Sequence, residues 1–485
     1  MSPALLSRAD LIALLPEMIL TTLGMVILLA GVATGKRHKA LWVGTLTALL
    51  AGAAGLWIAA QATAPDARMY FDSFALDHFA VFFKSLFLLI AALTVLLSVD
   101  YLKRWDARPG EYHALILFAT VGMMIMASGV NLAVIYVGLE LMALSTYVLA
   151  GYFRRETASH EAAAKYFVLG ALSSGILLYG LSLIYGSFAT LDLAVLTEKA
   201  AAGPVSTPAL VGIALLGCGF LFKVAAVPFH MWTPDVYVGA PTPITAFMSV
   251  GPKAAAFAMF LRVFDGSFAA LAPQWRWLIG GAAVLTMVWG NIAALTQDNV
   301  KRMLAYSSIA HAGYALVGLV AGSAAGVQSV MFYLLVYTVT NLGAFGFVVL
   351  LESRGFAGET VRDYAGLARK HPLAAFGMLV FMLSLGGIPP TAGFMGKLYV
   401  FAAAVNAGFV WLVVIAVLMS AVSLYYYFRI VMQMYLQDGA DDEPAPLLLS
   451  PWTERAIWLC GVAVLVIGVF PGPFAEAARA TLGLP

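Results

Sequence analysis

The sequence predicts an all-α polytopic membrane protein with about fourteen transmembrane helices. Two observations predict the class. Of the 485 residues, 62% are hydrophobic and only 11% are charged, whereas a soluble domain carries about 25% charged residues. The apolar residues also gather into runs of about 20, the length a helix needs to cross a ~30 Å hydrocarbon core. Helices are expected because backbone groups in lipid must be satisfied within their own segment, and the runs lack the short alternation of barrel strands.

The runs fall at about 10–31, 41–61, 76–99, 112–128, 130–152, 162–187, 209–235, 243–265, 275–296, 303–321, 327–351, 373–402, 408–434 and 455–475. The first is too long for a signal-peptide core, carries Glu17 after Pro16, and ends in the basic cluster Lys36-Arg37-His38-Lys39 rather than at a small-residue cleavage site, so it reads as a membrane helix. Runs one to three make an N-terminal segment, 1–105, within one membrane domain of 1–485. Lys84, in LDHFAVFFK, lies near the start of the third run and is expected to snorkel to the interface. Glu17 is early enough in its run to do the same.

With the N-terminus outside, alternate loops place seventeen Lys and Arg on the inner side, among them Lys36, Arg37, Lys165, Arg302 and Arg354, and six on the outer side. That excess obeys the positive-inside rule, and an even number of helices returns both termini to the outer face.

Runs four to eight, 112–265, and nine to thirteen, 275–434, form two blocks of five. An odd number per block turns the second upside down relative to the first, as in inverted-repeat transporters. Glu140 on the fifth run precedes Lys223 on the seventh by 83 residues (223 − 140), and His311 on the tenth precedes Lys397 on the twelfth by 86 (397 − 311). The seventh and twelfth runs are also broken. LFKVAAVPFHMW carries Pro228 shortly after Lys223, and LGGIPPTAGFMGK carries Pro389 and Pro390 shortly before Lys397. Proline removes a backbone donor, so the groups it frees need water or polar neighbours.

Glu140, Lys223, Lys253 and Lys397 thus lie within membrane runs. A charge at mid-bilayer costs at least about 2.5 kcal/mol, so such groups face one another or a hydrated cavity and mark an ion or proton path. Protonation of a lysine in a dry setting depends on its partner. A Glu140–Lys223 pair would hold the proton, and loss of that pair would release it toward Lys253 and His311, whose imidazole suits relaying. Lys397 would be the exit. The competing reading of the pair is a structural salt bridge. Lys165 opens the sixth run, where its charge either modulates Glu140 or anchors the helix at the interface.

Several classes are excluded. The net charge of +2 and the lack of a long basic run give no footprint for nucleic acid. Cys218 and Cys460, the two cysteines, cannot supply the four thiolates of an iron–sulfur cluster. Neither a nucleotide-binding glycine loop nor a pair of histidines for haem is evident. No cofactor or metal is expected in this chain.

The runs LFKVAAVPFHMWTPDVYVGAPTPITAFMSVGPKAAAF, VKRMLAYSSIAHAGY and LSLGGIPPTAGFMGKLYVF resemble the antiporter-like membrane subunits of respiratory complex I, over most of the chain. Within that family, the VYVGAPTP segment, lysine at position 397 and an end soon after the last run resemble the N-type subunits. The resemblance implies that Glu140 and Lys223 form a coupled pair, that Lys253 links them to a central axis, that Lys397 faces the outer exit and that His311 relays. It further implies a proton-translocating, non-redox subunit in a bacterial inner membrane, surrounded by lipid and by neighbouring antiporter-like and small membrane subunits. Quinone reduction elsewhere would drive it, with FMN, iron–sulfur clusters and quinone held by partner subunits. Two rivals share parts of this reading: a subunit of a multisubunit sodium/proton antiporter, and a structural membrane scaffold whose buried charges only pair.

Overall fold

The computed structural model describes residues 7–34, 38–64, 67–105, 107–352, 359–438 and 451–480. Lys36, Arg37 and Arg354, counted above on the inner side, lie outside them.

Twelve helices among the described residues are long and apolar enough to cross a bilayer unaided. They include α1 (Leu15–Thr34), α2 (His38–Ala62), α3 (His78–Arg104), α4 (Pro109–Ser128), α5 (Leu132–Ala150) and α6 (Thr157–Phe188). The seventh crossing is split into α7 (Thr207–Lys223) and α8 (Trp232–Gly239). It is followed by α9 (Thr242–Phe260), which continues as a π-helical turn over Leu261–Ser267, and by α10 (Ala272–Leu295), α11 (Val300–Ala321) and α12 (Ala324–Glu352). The twelfth crossing is split into α13 (Pro372–Gly386) and α14 (Ala392–Asn406), before α15 (Val410–Leu436) and α16 (Pro451–Val469). The twelve continuous spans and the two broken ones make the fourteen crossings that the run lengths predict. A short hairpin, Arg68–Met69 with Phe74–Ala75, closes the connection before α3.

Burial is graded across the bundle. Every residue of α9 is buried, as are nearly all of α11 and α12, so these helices form the axis. The outer helices expose large apolar side chains such as Leu29, Trp57 and Val417, a surface that only lipid or another apolar partner covers favourably.

The inverted repeat is written in backbone hydrogen bonds. Asn131 caps α5, its side chain accepting from Ala133 N, and the chain there is clasped by Leu132 N to Leu191 O and Leu193 N to Val130 O, both 2.9 Å. Asn299 caps α11 in the same way, and Val300 N donates to Glu359 O at 2.7 Å while Val361 N donates to Asp298 O at 2.9 Å. Each atom of the second clasp lies 168 residues (299 − 131) after its counterpart. The glycines obey the same register: a Cβ on Gly122 would stand 2.5 Å from Met142 N, and one on Gly290 would stand 2.7 Å from Ala310 N. Glycine is needed at both because each helix backbone there leans directly on its neighbour. Five crossings separate the clasps, so they sit at opposite ends of the bundle.

Candidate functional site

The proline pair explains the position of Lys397. In an uninterrupted helix the N–H groups of residues 389 and 390 would donate to the carbonyls of Leu385 and Gly386. Pro389 and Pro390 have none, and Gly387, at φ +82°, turns the chain out of the helix. The Lys397 ammonium takes both freed carbonyls, donating to Leu385 O at 3.0 Å and Gly386 O at 2.9 Å, and also to Ser420 Oγ at 2.7 Å. A cation at the C-terminus of α13 also suits the helix dipole. At the other break, Pro228 interrupts the chain beyond Lys223, the last residue of α7. There Trp232 Nε1 donates to Phe222 O at 3.2 Å, and Val227 N donates to Thr286 Oγ1 at 2.9 Å.

Lys253 follows Pro252 within the fully buried α9 and donates to Ser308 O at 2.8 Å and Ser308 Oγ at 2.5 Å. The hydroxyls of Tyr237 and Tyr337 lie beside Ser308 without a hydrogen bond of good geometry. One turn further along α11, His311 shares its Nδ1 with Tyr333 OH at 2.6 Å and its Nε2 with Tyr427 OH at 3.2 Å, and its ring stacks on Tyr337 at 4.9 Å. Tyr427 OH meets Ser307 Oγ at 2.5 Å. A cavity about the size of one water molecule opens between His311, Tyr333, Tyr337, Thr340, Ser384 and Leu385. Leu385, whose carbonyl holds Lys397, is one of its lining residues, and the Lys397 Nζ also lies 5.0 Å above the Tyr314 ring. Lys253, His311 and Lys397 therefore stand along one file of hydroxyls, imidazole and freed carbonyls, which among the described residues no hydrogen bond joins between Ser308 and His311.

Glu140 and Lys223 stand apart from that file. Glu140 is half-buried on α5 and accepts a hydrogen bond from Ser174 Oγ at 2.5 Å. Lys223 is buried, with its Nζ 5.9 Å from the Tyr147 ring. Among the described residues no contact within 4.0 Å pairs the two, although the Glu140 charge acts on Lys223 through space. Between Lys223 and Lys253 lies an aromatic layer: Tyr147 packs on Tyr166 at 4.6 Å, Tyr166 stacks on Trp232 at 4.5 Å, and Trp232 meets Tyr237 at 6.1 Å.

Lys165 sits in the third turn of α6, which starts at Thr157 rather than at the expected 162. Two carboxylates hold it, Asp235 at 2.6 Å and Glu161 at 2.7 Å, and Asp235 also takes Arg302 at 3.2 Å. This group ties α6, α8 and α11 together at one face. All its side chains are at least a third exposed, so water screens the pairs. Asp235→Asn is accordingly expected to leave the melting temperature of the detergent-solubilised protein near the parent's; a large drop would show the group to be a structural keystone instead.

The family described as NADH:quinone oxidoreductase/Mrp antiporter, TM, matches residues 129–423. An NADH-quinone oxidoreductase subunit N of Trichlorobacter lovleyi is 47% identical over 484 residues, covering 99% of this chain and 98% of the relative. The chain belongs to the subunit N family of NADH-quinone oxidoreductases. A second member of the subunit N family, from Rhizobium meliloti, is 48% identical over 471 residues, 96% of this chain and 97% of the relative. A chain of respiratory complex I from Thermus thermophilus with bound aureothin is 35% identical, with a TM-score of 0.79 over 96% of this chain and 99% of that one. A chain of the Mrp complex from a Dietzia species superposes with a TM-score of 0.82 at 22% identity, over 98% and 97%, a likeness of fold.

Against this family background the geometry corrects two expectations. The near-equal spacings align Glu140 with His311. The 168-residue register instead pairs Glu140 with Ser308 (308 − 140), the group that receives Lys253. The spacing misled because Lys223 ends the first half of its broken helix whereas Lys397 lies inside the second half of its own. Lys84 does not snorkel: it is fully buried and 2.6 Å from a buried Glu17. The tyrosine and serine hydroxyls that complete the file were missed, since aromatic and small polar residues in membrane helices more often serve packing.

Proposed function

We propose that this chain moves protons across the bacterial inner membrane as a non-redox subunit of the enzyme, among neighbouring membrane subunits and with both termini on the outer face. The observation that carries this reading is the file from Lys253 through Ser308, His311, Tyr427 and Tyr333 to Lys397. Every member can gain, lose or pass a proton, and the members are carried by α9, α11, α12, α15 and the broken helix α13/α14. Proton movement along it combines reorientation of the hydroxyls with water entering the gaps between Ser308 and His311 and between His311 and Lys397.

The aromatic layer from Tyr147 to Tyr237 separates this file from Glu140 and Lys223 and is the natural point of control. Widening it would admit water and connect Lys223 to Lys253; closing it would hold a proton on either side. Quinone reduction in partner subunits, which hold the FMN, iron–sulfur clusters and quinone, drives the cycle.

The test uses the intact complex in proteoliposomes. Lys223→Ala and Glu140→Gln are expected to lower NADH-driven proton uptake and quinone reductase turnover several-fold while the complex still assembles. Glu140→Gln should be the milder, because the amide keeps an acceptor for Ser174. Normal proton yield and turnover in both variants would defeat the reading.

A further inference from the structure

A second buried charged site lies outside the central file, in the three N-terminal helices. Glu17 on α1 and Lys84 on α3 meet at 2.6 Å, with side chains 6% and 0% exposed. Beyond this contact neither carboxylate oxygen of Glu17 nor Nζ of Lys84 has a hydrogen-bond partner. The pair is thus closed off from solvent, and its remaining donors and acceptors are unsatisfied. A peg made only for packing is poorly served by such a pair, because desolvation offsets its Coulomb attraction unless further hydrogen bonds complete it. Ionisable groups within the membrane are functional-site candidates for the same reason.

Its surroundings lead in two directions. Toward the loop face, Glu17 acts electrostatically on Tyr70, whose hydroxyl is held protonated above its ordinary range by burial, then by Asp10 and Glu17. Asp10, in the short helix Arg8–Ala13, accepts from Tyr70 N at 2.9 Å, and that contact, with those from Ser7, keeps its carboxyl below the usual carboxylate range. Toward the bundle, Lys84 lies 4.7 Å from the Phe74 ring and feels Asp77 and Arg262. Asp77 caps α3 and is gripped by Arg262 at 2.8 and 2.9 Å. Burial opposes its ionisation, but the Arg262 guanidinium, the Ala80 N–H and Lys84 together outweigh burial and hold the carboxyl below its usual range. Arg262 belongs to the π-helical turn that ends α9, the helix of Lys253, and also donates to Ala127 O at 2.7 Å. Such turns are frequent at functional sites.

We infer that Glu17 and Lys84 form a proton-exchange station separate from the central file, enclosed between α1 and α3 and tied to α9 through Asp77 and Arg262. Its ligand is a proton delivered by water: the pair takes one on the Glu17 carboxylate or yields one from the Lys84 ammonium, and no bond other than O–H or N–H changes. This inference rests on the chain moving protons.

The experiment compares variants of the assembled complex in proteoliposomes, with Lys397→Ala in the same series. Glu17→Gln and the double variant Glu17→Gln/Lys84→Met are both expected to lose proton uptake several-fold. The exchanged pair Glu17→Lys/Lys84→Glu, which keeps one carboxylate and one amine, is expected to retain most of it. A structural peg predicts instead that the neutral double variant, which leaves no unpaired buried charge, keeps the parent rate, so that result overturns the inference. If these variants fail to assemble, the parent complex decides. Carbodiimide reacts with a protonated carboxyl, and mass spectrometry should find Glu17 modified in turning-over complex; an unmodified Glu17 overturns the inference. Loss of pumping in Lys397→Ala alone would leave the central file standing and remove only this station.

Discussion

Lys253→Met is expected to cut NADH-driven proton uptake by about tenfold or more, a loss on the low side for removal of a group that transfers protons directly. Methionine matches the length and apolar stem of lysine, so the packing of α9 is kept. The change removes the donor to Ser308 O and Ser308 Oγ, the contacts by which α9 joins the file on α11. Ser308 would retain its helical role and the Tyr237 and Tyr337 hydroxyls beside it, but no ammonium would be left to hand it a proton. Quinone reductase turnover should fall in parallel where the two processes are coupled. Proton uptake and turnover equal to the parent's, at equal content of assembled complex, would remove Lys253 from the path.

The second large effect comes from a residue with no charge. A Cβ added at Gly393 would stand 1.7 Å from Ser384 O and 2.6 Å from Ser384 C. No rotamer relieves a clash with backbone, so Gly393→Ala must push α14 away from the end of α13. The site cannot open on the far side either, because Gly468 of α16 abuts the same break: a Cβ there would stand 2.1 Å from Pro390 O. Overpacking of this kind costs about 3 kcal/mol. It would also carry Leu385 O and Gly386 O away from the Lys397 ammonium. A clear fall in melting temperature and loss of proton uptake are expected. Gly186→Ala, on α6 with open space around it, is the matched control and should change neither. A Gly393→Ala protein that melts and pumps like the parent would show that the break is loose.

The sequence made the crossings legible because the physics of a lipid-facing segment is local: length and apolarity decide a span whatever its neighbours. The breaks were legible for the same reason, since Pro228, Pro389 and Pro390 act on their own backbone. Pairings were not. Glu17 and Lys84 lie 67 residues apart (84 − 17), and nothing local distinguishes a lysine that reaches for the interface from one that turns inward to a carboxylate. Likewise the aligned positions of Glu140 and Ser308 differ in chemistry, so only the backbone clasps at their helix starts reveal that they correspond. Tyr333 and Tyr427 gain meaning only once α11, α12 and α15 converge on His311.

The contact between Lys397 and the end of α13 makes electric charge and mechanical stiffness a single variable. While the amine carries its proton it acts as a rivet through two peptide oxygens; once neutral, it has fewer hydrogens to hold them and weaker attraction for the helix end. A proton gained or lost at Lys397 would therefore tighten or slacken a joint in the backbone, and α16, pressed against Pro390 at Gly468, would feel the change as a small push.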